Sequence, residues 1–290
     1  MNIAIIGAGY AGMSAAYDLI RAGHKVTIFE AADQPGGLAS GFKETHWDWS
    51  VEHFYHHWFA SDEHMLGLID ELDLSHKVLF PRPYTVLLHE GQWYPFDSIP
   101  QAIMFPGLGW GINKVRFGLV GLYLRLTKNW QALEKTTVDA WMRKWAGEKV
   151  YELMWEPMLI GKFGPYYKDV NMAWFWARIH ARTTNLGTYQ GGFQAFADDF
   201  STKLMELGVE IYYQNRVAGI KPNSEGGVTL EVDSASLGFD QVLSTTSPGL
   251  MAKLAPDLPQ TYLEALLKGK HVEEVLSRLS TKIGILAQEY

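Results

Sequence analysis

The amino-acid sequence predicts an α/β fold in which a mainly parallel sheet with helices is joined to a mainly helical, aromatic-rich domain. Three observations carry this prediction. A short apolar strand pattern at the start runs directly into a glycine-rich turn, a helix and a second strand. Helical patterns that hold much of the tryptophan occupy the middle of the chain. A β-strand pattern then returns after residue 208, so strands are predicted both before and after the helical middle of the chain.

The first strand, helix and second strand follow each other without a break. Ile3–Ile6 is an apolar run with β-branched residues, long enough for one buried strand. Residues 11–22 have the apolar period of an amphipathic helix, and Gly23 ends it. Residues 25–29 form the second predicted strand.

The turn after the first strand fits G-x-G-x-x-G, with the residues Gly7, Ala8, Gly9, Tyr10, Ala11 and Gly12. Gly7 permits the tight turn, Gly9 lets backbone approach a pyrophosphate, and Gly12 allows close packing of helix on strand. The helix N-terminus directs unpaired N–H groups toward an anion. This context predicts a Rossmann-like dinucleotide site.

Glu30 stands at the end of the second strand. An acid in this position accepts hydrogen bonds from the hydroxyls of an adenosine ribose. Because it would also repel a 2′-phosphate, NADP is disfavoured.

Paired glycines follow the acid in the stretch DQPGGLA, residues 33–39. Together, GAGYAG and FEAADQPGGLASGF resemble the flavin-containing amine oxidase superfamily, which includes protoporphyrinogen oxidases, carotenoid desaturases and, more distantly, UDP-galactopyranose mutases. The resemblance implies FAD rather than NAD as the cofactor. It also implies that Ala31, Gly36, Gly37 and Leu38 belong to the cofactor site.

Residues 42–59 are dense in aromatic and histidine residues. The family has a motif like F-D-x-G-x-H-x-F under the flavin, and Asp48, His53 and Phe54 match it if one extra residue is allowed. Ser50 stands near the family's glycine. A metal site is the alternative, from Glu52, His53, His56 and His57, but metal binding needs converging ligands, so we predict no metal.

Helical and hairpin patterns fill residues 61–185. The predicted helices are 61–74, 112–126, 138–145 with Thr136 or Thr137 as its cap, and 148–159, bent or ended near Pro157. The predicted hairpin has strands 84–88 and 92–96, and residues 161–165 are predicted to be loop. The hairpin's Tyr94-Pro95-Phe96 resembles the family's entry to its substrate domain. The aromatic residues either line a pocket for a flat or apolar substrate or simply pack a core.

The second half of the sheet is predicted from residues 189–250. Gly191-Gly192 opens a helix that ends near residue 207, and 209–213 is a strand. The resemblance implies that Val217 meets the adenine edge of FAD. Residues 228–232 and 239–243 are predicted to form a hairpin, and Thr245 to lie at the nucleotide edge of the sheet.

The resemblance covers residues 1–268 and does not include the family's terminal Gly-Asp segment. Residues 263–267 and 272–283 have helical patterns instead. We therefore expect this chain by itself to hold FAD less firmly than its first forty residues suggest. A homo-oligomer or a partner chain could complete the flavin site.

The composition of the chain argues against several classes of partner and of chemistry. The 290 residues carry a net charge of −7, which argues against a nucleic-acid partner, and contain no cysteine, which excludes disulfides and thiol catalysis. Charges and Pro106 interrupt the apolar region 102–126, so we expect no membrane span. Met1 leads directly into the first strand, so we expect no signal peptide and a cytoplasmic protein.

We therefore predict an FAD domain from residues 1–80 and 186–250, a helical substrate domain from 81–185, and a C-terminal helical segment from 251–290. The resemblance implies an oxidoreductase that oxidises an apolar or amine-bearing small molecule by hydride transfer to flavin. The alternatives are a non-redox flavin mutase and a nucleotide-binding remnant or subunit without turnover. His53 and Lys162 are the catalytic candidates, although ordinary hydrogen bonding or solvent exposure explains each as well.

Overall fold

The structure is a computed structural model that describes residues 1–224 and 226–268, and these form two compact units. The first unit contains residues 1–57, 63–79 and 188–268, and the second contains residues 58–62 and 80–187. The strands are β1 Asn2–Ile6, β2 Lys25–Phe29, β3 Gly41–Phe42, β4 Val51–Glu52, β5 Trp58–Phe59, β6 Val78–Leu79, β7 Val86–His89, β8 Gln92–Pro95, β9 Leu186–Tyr189, β10 Glu210–Tyr212, β11 Val217–Pro222, β12 Val228–Val232, β13 Ala235–Phe239 and β14 Gln241–Ser244.

The α-helices are α1 Tyr10–Arg21, α2 Glu63–Glu71, α3 Ile99–Met104, α4 Ile112–Leu126, α5 Trp130–Leu133, α6 Val138–Trp145, α7 Glu148–Val150, α8 Glu156–Phe163, α9 Met172–His180, α10 Phe193–Glu206, α11 Pro248–Leu254 and α12 Gln260–Leu266. Short 3₁₀ segments lie at Gly37–Ala39, Ser75–Lys77, Pro106–Leu108 and Gly164–Asp169, and a π-helical turn lies at Tyr151–Trp155. No helix among the described residues is long and apolar enough to cross a membrane.

A four-stranded parallel sheet organises the first unit. Its strand order is β10-β2-β1-β14, with Ala4 opposite Thr27 on one side and Val242 on the other. Ala4 and Ile5 are fully buried, as expected for a central parallel strand covered on both faces. The predicted return of the chain to this sheet is confirmed, because β10 pairs with β2 through Ile211 opposite Ile28. The predicted α/β class with a parallel sheet is therefore confirmed.

A second sheet of the first unit differs from the sequence prediction. β12 pairs with β13 rather than with residues 239–243, and Val232 lies opposite Ala235. The reversal occurs at Asp233, whose positive φ of 49° allows a two-residue turn. Gly238, which the pattern placed in the turn, lies inside β13. β14 consequently joins the parallel sheet beside β1, and the strand β11, which was not predicted, completes the antiparallel sheet.

The second unit is mainly helical, and an aromatic-rich core holds it together. Its fully buried members include Tyr151 and Met142, and Phe175 packs edge-on against Trp155 at a centroid distance of 5.1 Å. The Thr137 hydroxyl accepts the Ala140 N–H, so Thr137 is the cap of α6. The prediction of a helical, aromatic-rich region is confirmed.

The end of the third helical segment was predicted wrongly. The helix continues past Pro157 to Phe163, so residues 161–163 are helical and not loop. Pro157 lies in the first turn of α8, where the helix passes from π-helical to α-helical hydrogen bonding, so its missing N–H falls at this change of pattern. The π-helical turn before it absorbs the change in hydrogen-bond register. The predicted helix 272–283 lies outside the described residues.

Gly12 is the tightest glycine of the first unit. A Cβ at this position would overlap the carbonyl oxygen of Gly7 and come within 3.3 Å of the Ile5 side chain. Gly12→Ala should therefore lower the free energy of unfolding by roughly 1–3 kcal/mol, the range for overpacking. Urea denaturation measures the difference.

Gly67→Ala is the matched control, because a Cβ at Gly67 in α2 would meet no atom within 4 Å. That variant should be neutral or more stable by up to about 1 kcal/mol, the helix preference of alanine over glycine. Equal effects of the two substitutions would contradict close packing at Gly12.

Candidate functional site

A groove of about 650 Å³ lies in the first unit at the carboxyl ends of β1, β2 and β14. Ligands of open α/β sheets bind at this end of the strands. The lining residues are Ile6, Gly7, Gly9, Tyr10, Ala11, Phe29, Glu30, Ala31, Gly36, Gly37, Leu38, Ala39, His56, Asn215, Arg216, Val217, Thr245, Thr246, Ser247, Leu250 and Leu254.

The turn between β1 and α1 presents backbone N–H groups to the groove. Gly7 takes a positive φ of 106° and donates its N–H to the carbonyl of Phe29 at 2.9 Å. Gly9 stands immediately before α1 with extended backbone. Among the described residues, no side chain caps the start of α1 and no acid lies in its first turn. The first N–H groups of the helix are thus available to an anionic ligand.

Gly9 keeps the groove open and does not serve the packing of the protein. Its φ of −71° is accessible to any residue, and a Cβ there would come no closer than 3.8 Å to another protein atom, the Gly37 Cα. A side chain at this position would instead project into the space that the groove lining encloses. This is the geometry of a close backbone approach to a ligand.

The paired glycines form the second loop of the groove and lie against the first. The Gly36 N–H donates to the carbonyl of Ala8 at 2.9 Å. Gly36 and Gly37 have positive φ values of 115° and 57°, and a Cβ on Gly37 would lie 3.1 Å from the Gly9 Cα. Both the backbone conformation and the space therefore require glycine.

The Glu30 carboxylate is fixed in the groove wall by two backbone donors. Oε2 accepts the Ala8 N–H at 2.7 Å, and Oε1 accepts the Ala32 N–H at 2.8 Å. The backbone of Glu30 is held as well, since its carbonyl accepts the Asn215 N–H at 2.9 Å. Each carboxylate oxygen retains acceptor capacity for a ligand hydroxyl.

Glu30 and Arg216 are the charged residues of the groove lining. Arg216 is exposed and lies between Asn215 and Val217, which also line the groove. On the other side, the Thr245 hydroxyl donates to the Ile6 carbonyl at 2.9 Å. The groove thus has an acid at one wall, a cation beside it and neutral backbone along the glycine loops.

Tyr10 contributes its ring to the groove while its hydroxyl points into the protein. The hydroxyl donates to the carbonyl of Phe193 at 2.8 Å, and the ring stacks on Phe196 at 5.2 Å. Burial, together with the negative charges of Glu52 and Asp198, raises the pKa of Tyr10 far above its usual range. Tyr10 therefore stays protonated and acts as an anchor for the start of α1.

The structure brings most of the predicted cofactor residues together. Ala8 and Gly12 are the exceptions, because both are buried behind the groove: Ala8 donates its N–H to Glu30, and Gly12 faces the Gly7 carbonyl. His56 and Arg216 line the groove although the sequence had assigned neither to the cofactor site, and His56 had been named only for the alternative metal site. Their proximity to the predicted residues His53 and Val217 was the only available signal.

Neither catalytic candidate lies in the groove. His53 is exposed and its ring packs 5.2 Å from that of Phe42. Lys162 is exposed on α8 of the second unit, with its ammonium 6.0 Å from the centroid of Trp174. Asp48 and Phe54, the other matches to the flavin-flanking motif, do not line the groove either. Among the described residues, no three His, Cys, Asp or Glu side chains are grouped to hold a metal ion.

The second unit contains a separate apolar cleft of about 360 Å³. It lies between α4 and α6 and is lined by Arg116, Leu119, Val120, Tyr123, Trp141 and Trp145. Other tryptophans pack into the core, for example Trp155 on Phe117. The tryptophan-rich region thus provides both core packing and a cleft.

Comparison with known proteins identifies a family. The family described as flavin-containing amine oxidoreductase matches residues 10–275. The 15-cis-phytoene desaturase of Synechococcus elongatus is 37% identical over 158 residues, which are 49% of this chain and 32% of the desaturase. Nothing in these comparisons supports the mutase alternative.

Two solved structures share the fold. A candidate protoporphyrinogen oxidase from Exiguobacterium has a TM-score of 0.66 at 19% identity, covering 91% of this chain and 63% of that one. Cyclohexylamine oxidase from Brevibacterium oxydans has a TM-score of 0.64 at 17% identity, covering 91% and 62%. The chain therefore spans about a third of the curated relative and less than two thirds of each solved one.

The two hydrogen bonds of the Glu30 carboxylate give a stability prediction. Glu30→Ala should lower the free energy of unfolding by about 1.5–3 kcal/mol, because hydrogen bonds to a charged acceptor are lost and the Ala8 N–H loses its partner. Glu30→Gln retains one side-chain oxygen as an acceptor, so its free energy of unfolding should fall by less. Urea denaturation without cofactor compares the three proteins, and an unchanged midpoint for Glu30→Ala would contradict this role.

Proposed function

This chain belongs to the flavin-containing amine oxidoreductase family, and from that premise we propose that it binds FAD in the groove and acts as an FAD-dependent oxidoreductase. The observation that carries the proposal is the pair of glycine loops beside a fixed acid. Membership of the family implies a flavin. The groove supports FAD in particular, because FMN has no adenosine to meet Glu30 and Val217.

The residues present fit the cofactor, and each has a separate task. The open space at Gly9 and the uncapped start of α1 would receive the pyrophosphate. Glu30 would accept hydrogen bonds from the ribose hydroxyls, and the backbone at Val217 would meet the adenine edge. Because the Glu30 carboxylate is already held by two backbone donors, little side-chain entropy is lost when it binds a ligand.

When bound, the flavin supplies the capacity to accept a hydride from a substrate. The tasks of the chain are to bind the cofactor, to orient it and to keep water away from it. We propose an apolar or amine-bearing small molecule as the substrate. The relatives named for phytoene and for cyclohexylamine support this class. The tryptophan-rich second unit offers the apolar and cation-binding surfaces that such molecules need.

The direct test is reconstitution of the purified full chain with flavin. Absorbance and fluorescence titration should give binding of FAD that is tighter than binding of FMN or NAD. Any flavin that copurifies is released by heat and identified by chromatography. Oxidation of amines or polyenes by the reconstituted protein then tests the reaction class. Protein that binds none of these cofactors would contradict the proposal.

Gly9→Val should abolish FAD binding and leave the fold intact. The added Cβ would make only an ordinary contact with the protein, at 3.8 Å from the Gly37 Cα, but the side chain occupies the approach of the pyrophosphate. The measurement pairs an FAD titration with a urea denaturation curve of the same variant. Gly118→Val, which changes a helical glycine of the second unit where a Cβ meets no atom within 4 Å, is the control for FAD affinity. Unchanged FAD affinity in Gly9→Val would refute the assignment of the loop.

Glu30→Gln should lower the affinity for FAD by about tenfold or more, since it replaces a charged hydrogen-bond acceptor by a neutral one. FMN serves as the internal control, because it has no adenosine ribose and its affinity should be unchanged. A parallel loss for both flavins would show that the substitution disturbs the loops and not a ribose contact.

A further inference from the structure

Helix α4 of the second unit is apolar on two opposite faces. One face is buried in the core, where Val120 and Leu124 are 8% and 1% exposed. The other face is a run of exposed apolar side chains, which we call the apolar stripe: Ile112, Val115, Leu119, Leu122, Tyr123 and Leu126. Their spacing of three and four residues places them on one side of the helix. A helix that is apolar all round is normally buried, so this exposure calls for a covering surface.

The exposed apolar surface extends beyond the helix. Trp110, which directly precedes α4, is 82% exposed, and Ile99 and Met104 of α3 are 78% and 71% exposed. The Lys114 ammonium lies 4.1 Å from the centroid of the Trp110 ring. An aromatic side chain beside a lysine at the edge of an apolar face is typical of a segment at a membrane–water interface.

Charge is segregated along the same part of the chain. Residues 98–133 contain Lys114, Arg116, Arg125 and Lys128 but no Asp or Glu, whereas the whole chain has a net charge of −7. Lys114 lies in the first turn of α4, and Lys128 lies just beyond its end. The apolar stripe is therefore accompanied by positive charge in an otherwise acidic protein, which would be attracted to an anionic surface.

We propose that α4 and Trp110 form a docking surface for anionic lipid bilayers, with the helix lying in the plane of the interface. Its 15 residues make a helix about 22 Å long, too short to span a hydrocarbon core of about 30 Å. The apolar stripe enters the boundary of headgroups and acyl chains, while the Lys114 and Lys128 ammonium groups meet lipid phosphates. Arg116 and Arg125 add positive charge nearby, but their guanidinium groups donate to backbone carbonyls of the protein.

The composition of the face favours lipid over a protein partner. Five of the six side chains of the stripe are aliphatic, whereas the energetic centres of protein interfaces are rich in Trp, Tyr and Arg and poor in Leu and Val. The cleft of about 360 Å³ between α4 and α6 adds to this argument. Leu119 and Tyr123 belong both to the stripe and to the cleft wall, so an acyl chain could enter it from the bilayer.

Vesicle flotation with the full chain is the first test. The protein should float with vesicles of phosphatidylcholine and phosphatidylglycerol, should bind pure phosphatidylcholine vesicles much less, and should dissociate as salt is added. Ile112→Gln combined with Leu122→Gln should weaken binding by more than about tenfold through lost apolar burial. Lys114→Gln combined with Lys128→Gln should weaken binding to the anionic vesicles by about tenfold or more, at about 1 kcal/mol per charge.

Met205→Gln is the matched control, because it removes an exposed apolar side chain from α10 of the first unit. It should leave vesicle binding unchanged. Ile112, Leu122, Lys128 and Met205 are exposed, whereas Lys114 is half-buried and donates to the Ile103 carbonyl. The melting temperature of each variant is therefore measured beside its vesicle binding, and the variants of the exposed positions should keep that of the parent protein.

A labelling experiment locates the contact. Because the chain contains no cysteine, a dye that is sensitive to polarity can be attached to Leu122→Cys or, as a control, to Met205→Cys. Its emission should shift to shorter wavelength on addition of anionic vesicles only when it is attached at position 122. Absence of flotation at low salt, binding that the stripe variants do not weaken, or a dimer that these variants dissociate would each overturn the proposal.

Discussion

The hydrogen bond from the Ala8 N–H to the Glu30 carboxylate, at 2.7 Å, joins the ends of the two strands on which the groove depends. Ala8 also accepts the Gly36 N–H through its carbonyl, so one residue connects the glycine turn, the acid and the second glycine loop. A buried backbone amide needs a partner, and an ionised carboxylate is a strong one. The same contact that satisfies the turn therefore fixes the acid where a ribose could meet it.

The shape of the groove depends on close packing between backbone segments, which glycine permits. Gly12 allows α1 to pack against the Gly7 carbonyl, and Gly37 allows the second loop to reach the Gly9 Cα. Gly9 differs from both, because the protein leaves room for a side chain there. The three glycines thus separate into two that the fold needs and one whose empty space faces the groove, a distinction that the motif letters alone do not make.

In the second unit, apolar side chains cover two faces of one helix, and the core buries only one of them. Its core takes up one face of α4 through Val120 and Leu124, and the aromatic side chains of the neighbouring helices complete that core. The opposite face of α4 is equally apolar and stays exposed. Acidic side chains are absent from this part of the sequence, so the exposed face differs from the rest of the chain both in polarity and in charge.

The sequence by itself determined the strand, glycine turn, helix and acid of the first unit, because these depend on local spacing and on backbone conformations that only glycine adopts readily. It also determined α4 and α6 with their observed bounds, since their apolar periods and the Thr137 cap are local signals.

Tertiary structure decided the strand pairing after β12, the remaining members of the groove lining and the burial of α4. β13 became the partner of β12 because the chain turns at Asp233, the residue directly after β12. His56 and Arg216 entered the groove, and Lys162 was placed on the second unit, through contacts between segments far apart in sequence. Which apolar face of α4 is buried was settled in the same way, because local periodicity records that a face is apolar but not what packs against it.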